Sequence, residues 1–252
     1  MNRVLADYGL APIAKLADLS IGDLTLVVGA PETDPLPETA DAQYIGAVLW
    51  QAENASLPEW INALSGDMPV VWVYSGNPQY SSSDDTLNSV VVLHACKEAL
   101  AQEGMHVVLT TGHHPLPKSL LPLPANFRHE PYVPGLQMAK RADLLIHHGG
   151  YGSCQTGLYA GKPAVILPTY SERLSNARRM EAAGAAQIVA VRHVGGKKQV
   201  RSEELRAAVK RVIADPAFSA NARQLGEKLQ SYGGPPRAAR LIAEFSQRAF
   251  DS

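Results

Sequence analysis

Cysteine is scarce in this chain of 252 residues: Cys96 and Cys154 are the only two. Two thiols cannot build the disulfide framework of a small secreted domain, and neither stands in the Cys-x-x-Cys pairing that holds structural zinc. A reducing, cytoplasmic setting is the expectation. An excess of either charge is missing too. Lys and Arg number 23 against 24 Asp and Glu, for a formal net charge of -1 at pH 7. Nothing in that balance suits a nucleic-acid backbone or an anionic membrane. No apolar run approaches the ~20 residues of a transmembrane helix. The opening Met1-Asn2-Arg3-Val4-Leu5-Ala6-Asp7-Tyr8 lacks the apolar stretch of a secretory signal. There is no Gly-x-Ser-x-Gly nucleophile elbow and no phosphate-binding P-loop. His113-His114 has no further ligand placed beside it by sequence, so no metal is expected.

What is present is apolar material, 46% of the residues against 19% charged, enough for a substantial core in one or two domains. Residues 1–50 hold short apolar pieces such as Leu24-Thr25-Leu26-Val27-Val28. Pro31-Glu32-Thr33-Asp34-Pro35-Leu36-Pro37 reads as an extended connection, because proline fixes φ and removes a donor. From Met68 the pattern is regular. Val70-Val71-Trp72-Val73-Tyr74 is a strand buried on both faces, ending at the turn Ser75-Gly76-Asn77-Pro78. A helix over Asp84–Gln102, with Asp84 or Asp85 as its cap, leads to the strand His106–Thr110. A proline-rich loop over Pro115–Pro124 precedes a short strand near Phe127.

Leu144-Leu145-Ile146-His147 is the next strand, followed by a helix through Tyr159. Ala164–Leu167 is a strand, Ser175–Ala183 a helix and Gln187–Val191 a last strand. Gly195-Gly196-Lys197-Lys198 reads as a mobile loop. The helix Glu203–Val212 is expected to pack on the sheet. Further helices follow, with a break at Pro235-Pro236. Strands alternating with helices predict a doubly wound parallel α/β sheet, Rossmann-like in class.

The segment richest in chemistry is His147-His148-Gly149-Gly150-Tyr151-Gly152-Ser153, between a buried strand and a helix. Ligands of open α/β sheets bind at such carboxyl ends. Paired glycines allow a phosphate to approach the backbone. A helix starting at Gly152 or Ser153 would aim its amides and positive dipole end at an anion. Ser153 and His148 add side-chain donors, so a diphosphate cradle is possible without lysine or metal. Alone, such a turn is weak evidence, and paired histidines can simply end a strand.

The set is more specific than its parts. His148-Gly149-Gly150-Tyr151-Gly152-Ser153, Gly161-Lys162-Pro163, Pro168, Asn176-Ala177-Arg178 and Gly184, in that order, resemble the donor-binding signature of the family-one glycosyltransferases, which include bacterial antibiotic and macrolide glycosyltransferases. The likeness is best over Asn126–Val191 and extends from Ser56 to the end. It implies the C-terminal domain of a GT-B fold, over residues 56–252. Residues 1–55 are then the remnant of an N-terminal domain and a linker. It implies Ser75 and Gly76 near the donor phosphates, Tyr132 and Val133 at the nucleobase, and His148, Gly149, Gly150, Gly152 and Ser153 at the diphosphate. Asn176 falls near the phosphates and donor sugar. By composition alone, Tyr132 reads equally well as a core or surface aromatic.

This chain departs from the pattern in places. Thr156 stands where the family often has a carboxylate for the ribose hydroxyls, which makes a deoxyribose donor more plausible. Glu172-Arg173 replaces the usual Asp-Gln pair at the sugar. That guanidinium suits a carboxylate or phosphate, or the pair is a surface ion pair at a helix start. Gly135 replaces a glutamine common after the proline.

The resemblance implies hexosyl transfer from a UDP- or dTDP-sugar to a small-molecule or lipid hydroxyl, inverting and metal-independent, with no cofactor. The family carries its general base in an N-terminal domain, and no histidine precedes His94. No catalytic residue is therefore assigned here. The expectation is a truncated or split enzyme, weakly active alone, with a partner chain supplying the N-terminal half or a homodimer. A non-catalytic nucleotide-sugar-binding subunit would read the same way. A nicotinamide oxidoreductase fits poorly, because Ser75-Gly76-Asn77-Pro78 replaces its glycine fingerprint. A nucleotide-sugar epimerase would need carboxylates from both domains.

Overall fold

The computed structural model describes residues 2–14, 22–51, 55–76 and 86–251. It opens with helix α1 (Asn2–Asp7) and two short strands, β1 (Leu26–Val27) and β2 (Gln43–Tyr44), which pair in parallel. The proline-rich stretch between these strands is not simply extended. The amides of Thr33 and Asp34 both donate to the Ala30 carbonyl, at 3.0 and 2.8 Å, and close a turn there. Helix α2 (Glu59–Asn62) then leads into the main sheet.

The sheet strands are β3 (Val70–Tyr74), β4 (His106–Thr110), β5 (Phe127–Glu130), β6 (Leu144–His147), β7 (Ala164–Ile166) and β8 (Ala186–Ile188). Between them lie α3 (Thr86–Leu100), α4 (Gly135–Arg141), α5 (Tyr151–Tyr159) and α6 (Ser171–Ala182). The six strands run in the order β5-β4-β3-β6-β7-β8, every pairing parallel. The proposed caps of α3, Asp84 and Asp85, lie outside the described residues.

Side chains alternate across these strands, so each face acquires its own core. Val70, Trp72, Val108, Leu145, Ala164 and Ile166 face α4, α5, α6 and α8 (Pro216–Ser231). Val71, Val73, Val107, Leu109, Leu144, Ile146 and Val165 face α3 and α7 (Ser202–Ala214). Helices on both faces make the sheet doubly wound, as the strand-helix alternation predicts.

Two further expectations are corrected. Gly195-Gly196 is the turn of a hairpin between β9 (Arg192–Val194) and β10 (Lys197–Gln199), not a mobile loop. Both glycines have positive φ, +57° and +76°, which a tight two-residue hairpin requires. Helix α6 begins at Ser171, a turn before the expected Ser175. Its polar first turn, Ser171-Glu172-Arg173, carries no apolar periodicity to announce it. Helix α9 (Gly234–Asp251) starts at the Pro235-Pro236 break, its prolines in the first turn where their missing N–H groups cost least. No helix among the described residues is long and apolar enough to cross a membrane.

Candidate functional site

The chain builds β3, β4 and β5 outward in one direction and then returns to place β6 on the other side of β3. The crossovers on either side of this reversal diverge and leave a crevice beyond the carboxyl ends of β3 and β6. A cavity of about 880 Å³ occupies it. Ser75 and Gly76 leave the end of β3, and His148, Gly150, Gly152 and Ser153 leave the end of β6. Tyr132, Val133, Thr156 and Arg173 complete the set of expected residues on its wall.

His148 is the best-fixed of these. The residue is 7% exposed and its ring sits edge-on to Tyr74, centroids 6.2 Å apart. A Cβ on Gly150 would lie 2.5 Å from its Nε2, and one on Gly76 would lie 3.1 Å from its Cε1. The imidazole therefore occupies space that only two glycines leave open. Burial, and then the nearby Arg173 guanidinium, push its pKa down to about 4, against a smaller opposing pull from the Tyr74 backbone. The ring is neutral at pH 7 and offers one N–H. Its Nδ1, like the Nε2 of His147, is buried without a hydrogen-bond partner among the described residues.

Gly149, Glu172 and Asn176 lie behind the wall rather than on it. Gly149 adopts φ +86°, and a Cβ there would meet the Arg173 carbonyl oxygen at 2.8 Å, so the turn packs tightly on the start of α6. Asn176 is 5% exposed and its Nδ2 donates to the Gly149 carbonyl at 3.0 Å and to Glu172 Oε1 at 2.6 Å. Glu172 is thus engaged with its own helix, one turn on. Arg173, a residue later, is turned toward the cavity. Its Nη1 donates to Thr169 Oγ1 at 2.5 Å, and its guanidinium lies 4.6 Å from the Tyr170 ring centre. Lys198 from β10 approaches the same ring at 4.7 Å. No Asp or Glu lies on the cavity wall among the described residues. The N-terminus of α5 and Arg173 therefore give it a positive potential. Thr156 donates its hydroxyl to the Gly152 carbonyl at 2.8 Å, which leaves the oxygen as an acceptor.

Other contributors had been given no role at the site from sequence. The buried His147 accepts the Gly149 N–H on Nδ1 at 3.1 Å, so its proton is on Nε2 and the glycine turn is tied to the strand. Burial, and then His148, lower its pKa to about 3. The His147-His148 doublet was the available signal. Trp72, whose Nε1 donates to Thr110 Oγ1 at 2.9 Å, and Tyr74 line the cavity from β3. His113 stacks on Tyr132 with centroids 4.3 Å apart and planes 11° from parallel, so it occupies one face of that ring. Val48 and Trp50, 46% and 80% exposed, add an apolar rim. Cys96 and Cys154 are buried, their thiols pushed up to about 12 chiefly by that burial, and neither is a nucleophile at neutral pH. Among the described residues no cluster of three or more His, Cys, Asp or Glu is placed to hold a metal.

A family described as erythromycin biosynthesis protein CIII-like, C-terminal domain, matches residues 95–244. The chain is 29% identical over 228 residues to a Bacillus subtilis (strain 168) protein named uncharacterized UDP-glucosyltransferase YojK, over 90% of this chain and 53% of that protein. The crystal structure of CalG4, the calicheamicin glycosyltransferase, has a TM-score of 0.74 at 26% identity, covering 98% of this chain and 58% of that one. The spinosyn rhamnosyltransferase SpnG complexed with thymidine diphosphate shares the fold at TM-score 0.74 and 21% identity, over 96% and 61% of the two chains. The chain thus spans somewhat more than half the length of each of these three. The GT-B C-terminal architecture expected from sequence is the one these structures share, and this chain belongs to the erythromycin biosynthesis protein CIII-like C-terminal domain family.

Proposed function

We propose that this chain is the nucleotide-sugar-binding half of an inverting, metal-independent glycosyltransferase that uses a UDP- or dTDP-sugar. The observation that carries the reading is the His148 ring. It is neutral, wedged between Gly76 and Gly150, short of one hydrogen bond, and set beside the N-terminus of α5 at the reversal of strand order. The diphosphate would lie against His148, Gly150, Gly152 and Ser153, with Ser75 and Gly76 opposite. Arg173 supplies the charge that a metal would otherwise bring. Tyr132, backed by His113, stacks the nucleobase, and Val133 meets its edge. Thr156 presents an acceptor to the sugar of the nucleoside. Gly149, Glu172 and Asn176 hold the cradle from behind.

In the transfer, an acceptor oxygen bonds to the anomeric carbon while the bond from that carbon to the diphosphate breaks. The electron pair leaves on the phosphate oxygen, and the acceptor proton passes to a base outside this chain. Charge grows on the diphosphate, where donors already fixed in place stabilise it without reorganising. Division into residues 1–55 and 56–252 follows from this reading. So does an N-terminal half, in a partner chain or the same polypeptide, that holds a small-molecule or lipid acceptor against the apolar rim at Val48 and Trp50. The buried free cysteines suit a cytoplasmic setting.

Calorimetric titration with UDP and with dTDP, in the presence of a chelator, tests it. Binding should persist without metal and fall roughly tenfold to a hundredfold in His148→Ala, the worth of one hydrogen bond to a charged group. Absence of binding to both nucleotides, or full binding by the variant, would overturn the reading.

A further inference from the structure

Behind the glycine turn, a carboxylate from outside the doubly wound sheet reaches both of its ends. Asp34 lies between β1 and β2, its side chain 16% exposed. Its Oδ2 is 2.9 Å from the hydroxyl of Tyr151, the first residue of α5, and accepts from Thr33 Oγ1 at 2.8 Å. The Tyr151 hydroxyl also abuts the Val28 carbonyl and shares its one proton between the two acceptors. Gln155 Nε2, 4% exposed as a residue, donates to the Tyr151 oxygen and to the Val28 carbonyl, each at 2.8 Å. On the other side Asp34 Oδ1 is 3.5 Å from Arg179 Nη2. That nitrogen donates to Asn176 Oδ1 at 2.6 Å, and Asn176 Nδ2 donates to the Gly149 carbonyl at 3.0 Å.

The contact is built for closeness. A Cβ on Gly29 would fall 2.3 Å from Asp34 Oδ2 and 2.8 Å from the Tyr151 hydroxyl, so glycine is what lets the backbone reach this pair. The turn that carries Asp34 is fixed locally by the Thr33 and Asp34 amides on Ala30.

We infer that Asp34 is a positioning residue for the diphosphate cradle, fixing Tyr151 directly and the Gly149 carbonyl through Arg179 and Asn176. This rests on the donor-site reading. Val28, Gly29 and Asp34 then belong functionally to the nucleotide-binding unit, although they precede its sheet by some forty residues of chain. The segment is also tied to α8 by Lys228 on Glu32 at 2.7 Å, a contact that does not reach the turn. That second tie separates positioning from mere docking.

The experiment measures UDP and dTDP affinity by calorimetry and uridine and thymidine affinity by ligand-observed NMR. The full chain is compared with Asp34→Ala, Asp34→Asn and Glu32→Ala. A misplaced cradle should cost Asp34→Ala roughly tenfold or more in diphosphate affinity and leave nucleoside affinity unchanged. Asp34→Asn, which keeps the shape and lacks the charge, should fall between, and it carries the same comparison if the alanine variant does not fold. Glu32→Ala should bind both ligand classes as the unaltered chain does. Equal loss of nucleoside and diphosphate, loss in Glu32→Ala matching that of Asp34→Ala, or wild-type diphosphate affinity in both Asp34 variants would overturn the inference alone. An unaltered chain that binds neither nucleotide would overturn the donor-site reading and the inference with it.

Discussion

Lowering the pH from 7 to 5 should weaken this fold, and His147 and His148 set most of the effect. Burial holds their pKa values at about 3 and about 4, against an ordinary value of 6.5. In that window the unfolded chain binds protons at both rings and the folded chain at neither. Stability is therefore complete above about 6.5 and falls as the pH drops toward the folded values. Each unit below 6.5 costs about 1.4 kcal/mol per ring, so about 2 kcal/mol each at pH 5 and about 4 kcal/mol together. Little relaxation is available, because the His148 ring already fills the space that Gly150 and Gly76 leave open. With a urea slope of about 3 kcal/mol per molar, the midpoint should drop by roughly 1 M between pH 7 and pH 5. Urea unfolding followed by circular dichroism at pH 7, 6 and 5 measures this. A His147→Gln/His148→Gln variant should lose most of the dependence, keeping the smaller part due to His129, whose pKa burial also lowers. A flat midpoint in the unaltered chain, or the full drop in the double variant, would refute the reasoning.

Two further outcomes follow from named contacts. A Cβ on Gly226 would meet the Leu158 carbonyl oxygen at 2.2 Å, where α8 crosses the end of α5. Gly226→Ala should therefore destabilise the fold by roughly 1–3 kcal/mol despite its better helix propensity, seen as a lower thermal midpoint, and a rise would show that the helices can part. Tyr132→Ala should weaken UDP or dTDP binding by about tenfold and Tyr132→Phe should not, because stacking needs the ring alone. Calorimetry decides it, and undiminished binding to the alanine variant would remove Tyr132 from the base site.

How far the sequence could be read depended on how local each signal was. The strands over Val70–Tyr74 and His106–Thr110 are continuous apolar runs bounded by turns, and both fold with those limits. The glycine turn was visible because its residues are consecutive. The opposed directions of Glu172 and Arg173 were also within reach. Glu172 and Asn176 stand four apart on one helix face, and Arg173 is rotated about 100° from Glu172. Trp72 and Tyr74 read as core because strand periodicity cannot tell a buried face from a cavity wall at the strand's end. The bonds from Tyr151 and Gln155 to Asp34 and Val28 span 117 to 127 residues, and no pattern in either segment announces them.

On the proposed reading, the acid sensitivity and the diphosphate site share one cause. A histidine that met a diphosphate as a cation would bring more attraction, yet it would lose that charge near neutral pH. Held near 4, His148 remains neutral through the physiological range and presents one donor in one place. The charge comes instead from Arg173 and the α5 terminus, neither of which titrates there. The glycines at 76 and 150 matter for the same reason: without a Cβ, they leave the space that the ring occupies. The fold gives up stability below pH 6.5, and the cavity gains a donor that is fixed before any ligand arrives.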